Sequence, residues 1–283
     1  METILNAGVV TASILLTLAV GLEVDRTAIR EALRLRVRLL VFWILQFVVP
    51  PIVALVLAQM FNLPLHILAG LLLLAACPVG DIANAYTLLA RGPIACSLAV
   101  NALSCLVAPL TMALTFAVYE ALLGDAFAFA IPTPVLVLRV LVLAVLPVLF
   151  GASWRALYPG SANRFRPWIR HVCVGCIGVL IVYVLSNQWE HVLADAVTSM
   201  VTAGAFLGIT LTIGWWVARG MNLTGPERAC GAFLIGVRNL GMMAAVAIAM
   251  LDRTDYAVFG AIYFVVQVVV ALALVGWTLR RAN

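Results

Sequence analysis

Lysine is absent from this chain: its 17 basic residues are all arginine, and charged residues of both signs make up only 10% of the 283 positions. A soluble domain carries about 25% charge, so the surface that would dissolve such a core is missing. Neither a GxSxG nor an HExxH motif occurs, and the histidines (His66, His171, His191) fall at the ends of apolar runs. A hydrolase or metalloprotease working at membrane depth would need a nucleophile–base pair or a metal constellation there, so no enzyme is expected. Cys173 and Cys176 form a CxxC without a second pair to complete a metal site, and the six cysteines read as small buried side chains. The first apolar run has neither a basic start nor a small-residue cleavage site, so a cleavable signal peptide is not expected. No cofactor is expected, and sodium stays open.

What fills the chain is apolar: 65% of residues are hydrophobic. Runs such as 135–152, 197–217 and 257–279 match the roughly 17–25 residues that a helix needs to cross hydrocarbon. The alternating pattern of a membrane barrel is lacking. The fold class is therefore all-α and polytopic, with nine spans expected near 5–22, 37–60, 65–90, 94–122, 132–152, 171–188, 196–218, 229–251 and 256–279. The lipid bilayer is thus one partner.

The arginines cluster between spans. Arg26, Arg30, Arg34, Arg36 and Arg38 share one connection, and Arg155, Arg164, Arg166 and Arg170 another. The alternate connections, FNLPLH, LGDAFAFAIPTP, NQWEHVLADAV and LDRTD, are neutral or acidic apart from Arg253. Such segregation is what membrane topology produces, not nucleic-acid binding. The positive-inside rule then puts the N-terminus outside and the C-terminus in the cytoplasm, in what reads as a bacterial inner membrane.

Two spans are interrupted. Residues 71–89 read LLLLAACPVGDIANAYTLL, with Pro78, Gly80, Asp81 and Asn84 in the middle; residues 231–250 read GAFLIGVRNLGMMAAVAIAM, with Gly236, Arg238, Asn239 and Gly241. The topology makes these third and eighth spans antiparallel, one in each half. Breaking a helix in hydrocarbon strands backbone groups at a cost of several kcal/mol each. Paired interruptions of this kind mark the binding site of inverted-repeat secondary transporters. Ionisable residues at that depth are functional candidates.

LPLHILAGLLLLAACPVGDIANAYTLLARGPIACSLAVNALSCLVAPL closely resembles the signature region of the bile acid:sodium symporter family, and LIGVRNLGMMAAVA resembles that family's second crossing motif. The resemblance implies that the chain, 1–283, is one transporter unit. It would have a core domain (34–122 and 196–281) holding the crossing helices and a panel domain (1–33 and 131–190). Relative to ten-helix members, the chain is expected to start at the second helix. The implied activity is alternating-access transport of an amphipathic organic anion such as a bile acid or smaller carboxylate. A membrane sensor or structural subunit, which would show no flux, is the alternative outside transport. The substrate's identity and the oligomeric state are not legible.

Carried over residue by residue, Asn84 and Asn239 match the crossing-point asparagines, Gln46 a glutamine of one sodium site, and Ser97 a serine ligand. Other positions depart: Ala83 replaces a ligating serine, Asn101 a threonine, Leu234 the acidic residue shared by both sodium sites, and Arg238 a glutamine. Leu234 offers sodium no side-chain oxygen, and arginine is a permanent cation. Arg238 is therefore expected to replace the ion, either pairing with Asp81 or holding a substrate carboxylate in a bidentate fork. Asp81 reads as that counter-ion, as a protonatable coupling group, or as a cation ligand. Sodium symport through altered ligands and proton coupling through Asp81 both stay open.

Overall fold

A computed structural model describes residues 2–24, 26–124 and 132–282. Among these the chain is helical, apart from one isolated β-bridge. In order come α1 (Glu2–Glu23), α2 (Arg26–Arg34), α3 (Arg36–Met60), α4 (Leu65–Ala76), α5 (Ile82–Leu89) and α6 (Ile94–Leu123). Then α7 (Thr133–Val140) continues through a π-helical turn (Leu141–Val145) into α8 (Leu146–Leu157), followed by α9 (Pro159–Asn187) and α10 (Trp189–Gly220). Last come α11 (Gly225–Gly236), α12 (Leu240–Ala244) with a π-helical extension (Ala245–Met250), and α13 (Thr254–Ala282). Among the described residues, six helical stretches are long and apolar enough to cross a membrane. The protein is polytopic, and its regular structure among the described residues is helical.

Burial sorts the elements. In α4 every residue from Leu71 to Ala76 is buried, and in α11 every residue from Ala229 to Gly236. These short helices form the centre, with α3, α10 and α13 packed around them. The longer helices turn residues such as Ile44, Ile52, Leu110, Leu114, Leu138 and Val269 outward, as contact with lipid requires. Close helix contact rests on small residues. At the α1–α8 crossing, a Cβ on Gly21 would lie 2.2 Å from the Val148 carbonyl oxygen, and one on Gly151 2.5 Å from that of Leu18.

The same crossing shows how an intramembrane proline is accommodated. Pro147 has no N–H, so the Leu143 carbonyl four residues earlier loses its helical donor. The buried Thr17 hydroxyl on α1 donates to that oxygen at 2.8 Å.

Three expected connections are helical instead. The arginine-rich stretch before residue 171 is the first part of α9, which starts with Pro159 in its first turn. Proline is compatible with that position, and arginine is a good helix former. The stretch around NQWEHVLADAV breaks only at Gln188 and at Asp195, where φ is −119° and ψ is 15°. The basic stretch after residue 25 likewise forms α2, with Ile29, Leu33, Arg30 and Arg34 exposed. Residues 1 and 131, where panel boundaries were expected, and most of the LGDAFAFAIPTP connection lie outside the described residues.

Candidate functional site

The two interruptions fall where sequence placed them, and they touch. α4 ends at Ala76, α5 starts at Ile82, and the extended residues between them meet the linker between α11 and α12. The contact is a single antiparallel bridge, Val79 to Arg238. The Gly80 N–H donates to the Val237 carbonyl at 3.1 Å, and the Asn239 N–H to the Pro78 carbonyl at 2.9 Å. Each break thus satisfies part of the other's stranded backbone, which hydrocarbon could not do. Gly80 permits the approach: a Cβ there would stand 2.5 Å from the Arg238 carbonyl oxygen.

Arg238 is 1% exposed, and its guanidinium points into the protein. One terminal nitrogen, Nη1, donates to the Gln46 carbonyl at 3.0 Å and lies 3.4 Å from Gln46 Oε1. The other donates to the Ala75 carbonyl at 3.2 Å and to the Cys77 carbonyl. All four acceptors are oxygens, and three are backbone. Ala75 and Cys77 close α4, where the last carbonyls have no partner within the helix and the dipole's negative end lies. The Gln46 carbonyl is free for another reason: its helical donor would be the N–H of residue 50, which is proline. The guanidinium fork therefore fills carbonyls orphaned by two separate helix defects.

The expected pairing of Arg238 with Asp81 is not found: among the described residues no ion pair joins them, and the guanidinium instead answers backbone oxygens. Asp81, just before α5, accepts from the Asn101 amide at 3.3 Å. Asn84, on α5, accepts through Oδ1 from the Ser97 hydroxyl at 2.7 Å, and Thr87 stands 3.5 Å from Ser97. Asn239 caps α12 by accepting the Met242 N–H at 3.0 Å. Apart from Asn239 at the start of α12, the polar site residues thus fall into two groups, Gln46 with Arg238, and Asp81, Asn84, Ser97 and Asn101 along the α5–α6 contact. Leu234 is wholly buried on α11 and contributes no polar atom.

Asp81, Asn84 and Asn239 line a cavity of about 450 Å³, together with Glu23 at the end of α1, Arg166 on α9 and Phe264 on α13. Glu23 and Arg166 form an ion pair at 3.5 Å. Sequence reasoning missed this pair, because nothing in either residue type indicates that α1 and α9 converge there. It also missed Tyr263, whose buried hydroxyl donates to the Gly236 carbonyl at the end of α11. The role of Pro50 was readable, since it stands four residues after Gln46 in LQFVVPP.

At the basic end of α11, Thr224 and Glu227 form a capping box, and Glu227 also pairs with Arg38 of α3. Partial burial opposes ionisation of Glu227, but hydrogen bonds from Thr224 and the Arg38 guanidinium prevail and hold its carboxyl below the usual glutamate value.

The sequence profile of the Sodium Bile acid symporter family matches residues 11–195, which include the first break and the α6 residues. The chain is 25% identical over 229 residues to the "Uncharacterized sodium-dependent transporter YocS" of Bacillus subtilis, covering 81% of this chain and 70% of that protein. It is 26% identical over 233 residues to the "Probable sodium/metabolite cotransporter BASS1, chloroplastic" of Arabidopsis thaliana, covering 81% of this chain and 56% of that one. The rice protein of the same name is 26% identical over 205 residues, and 48% of its length is spanned. On a match extending over more than half of its length, the chain belongs to the sodium bile acid symporter family of membrane transporters.

Proposed function

We propose that the protein is a secondary transporter that moves an organic carboxylate by alternating access, with Arg238 standing in for a coupling cation. The observation that carries this reading is the guanidinium's surroundings: Gln46 O and Oε1, Ala75 O and Cys77 O. A hard cation takes oxygen ligands of this kind, and here a covalently attached charge already uses them. A sodium ion about 4 Å from Arg238 would meet a repulsion of about 4 kcal/mol at an effective dielectric of about 20. Leu234 supplies no carboxylate to offset it.

In this reading α4–α5 and α11–α12 are the crossing spans of an inverted repeat within nine spans. The core comprises residues 34–122 and 196–281, and the panel comprises 1–33 and 131–190. The arginine-rich ends face the cytoplasm across a bacterial inner membrane. Asn84 and Asn239 bind the substrate, in the cavity that Glu23 and Arg166 also line. The test is to rebuild the ion site. Arg238→Gln alone is expected to create no sodium response in uptake or melting temperature, whereas Arg238→Gln with Leu234→Glu is expected to restore one in part. A folded double variant indifferent to sodium would count against the replacement.

A further inference from the structure

The cavity beside the crossing has polar groups without partners. Asn239 and Asn84 are 4% and 5% exposed, and each uses its side-chain oxygen inside the protein. The Asn239 assignment is fixed by chemistry: Met242 N–H can only donate, so the oxygen faces it and the NH₂ group is the free end. Neither Asn84 Nδ2 nor Asn239 Nδ2 has a hydrogen-bond partner. Both residues border the cavity, and their amide donors, enclosed and without an acceptor in the protein, are satisfied if the side chains turn toward an acceptor in the solute, for which a carboxylate serves.

Asp81 stands three residues before Asn84, so the two side chains are neighbours on one helical face. Its carboxylate lines the same cavity with one protein donor, the Asn101 amide at 3.3 Å. No cation on the wall answers it: Arg166 pairs with Glu23, and the terminal nitrogens of Arg238 are bonded to carbonyls. The lining's formal charges cancel, Arg166 and Arg238 against Glu23 and Asp81. A solute with only a carboxylate would place it next to another carboxylate in a poorly screened space. A solute with both signs leaves the site neutral and offers partners to the Asn84 and Asn239 amides and to the Asp81 carboxylate.

We infer that the transported solute is an amino-carboxylate zwitterion, its carboxylate held by the Asn84 and Asn239 amides and its ammonium by Asp81. This rests on the carboxylate-transport reading above and narrows it. No covalent step is involved: the ammonium donates charge-assisted hydrogen bonds to the Asp81 oxygens.

The experiment compares matched solutes that share a carbon frame and differ at the amino group: leucine with ketoisocaproate, and phenylalanine with phenylpyruvate. Each is titrated against detergent-purified full-length protein at neutral pH, with melting temperature as the readout. In at least one pair the amino acid is expected to stabilise the wild type with an apparent Kd about tenfold or more below that of its keto acid, as one charge-assisted contact allows. Asp81→Asn is expected to abolish that preference, and Asp81→Glu to keep it. If Asp81→Asn does not fold, the wild-type preference still decides.

Keto acids that stabilise the wild type as well as their amino partners in every pair that responds would overturn the inference and leave the carboxylate reading standing. So would a keto-acid response confined to low pH and lost in Asp81→Asn, which would make Asp81 a proton carrier. Silence from every solute would overturn both readings of the cavity. The sodium response of the rebuilt ion site is unaffected by any of these outcomes.

Discussion

The two broken spans solve one physical problem with different chemistry. At the end of α4, the carbonyls of Ala75 and Cys77 are answered by the buried Arg238 guanidinium. At the end of α11, the Gly236 carbonyl is answered by the neutral Tyr263 hydroxyl. The restarts differ too. Asn239 caps α12 with its own oxygen, whereas Asp81 precedes α5 in helical conformation without a capping bond. Both broken ends borrow a donor from another segment, but only the second break restarts with a cap of its own. A fixed positive charge stands at one half-helix C-terminus only, where the dipole favours a cation. On the proposed reading, that asymmetry sets this crossing apart from one that loads a mobile ion.

Arg238→Met would break the comparison outright. Three buried carbonyls lose their donors, and at about 1–3 kcal/mol for each orphaned acceptor the loss is expected to be roughly 4 kcal/mol. Arg238→Lys, which keeps the charge but not the fork, should fall between the two. Melting temperatures in detergent measure both, and an unchanged Arg238→Met would mean that those carbonyls have other donors.

Tyr263→Phe removes one neutral hydrogen bond at the second break and is expected to cost about 1 kcal/mol. A loss equal to that of Arg238→Met would erase the distinction between the breaks.

The smallest effect is expected from Glu227→Gln, at the far end of α11. The folded-state value of this carboxyl lies below its ordinary one. Its contribution is therefore complete above the unfolded value, and it is lost as pH falls through the folded value. The wild type's advantage over Glu227→Gln should shrink on acidification, and one that grows would reverse the sign.

Both breaks were legible because Pro78, Gly80, Asp81, Arg238 and Asn239 stand out against apolar flanks. Asn84 and Asn239 were found for the same reason. The partners of Arg238 were not, because backbone carbonyls exist at every position and leave no mark in residue type. Only Pro50 betrayed one of them. Asp81 was one candidate counter-ion because opposite charges in neighbouring motifs suggest a pair, whereas the fork fits the end of α4. The start of α9 was hidden because an arginine-rich segment reads as a connection by charge, although nothing in it prevents helix. The convergence of Glu23 and Arg166 depends on how α1 meets α9, which sequence periodicity does not specify.

The most direct measurement of the central claim, that Arg238 is the crossing's built-in cation, is the melting temperature of the purified wild type in sodium, potassium and choline chloride at matched ionic strength. An ion that binds only the folded state adds about 2.7 kcal/mol at roughly a hundred times its dissociation constant. Equal stability in all three salts is the expected result. A rise specific to sodium would show that an ion site persists beside the guanidinium, and would contradict the claim.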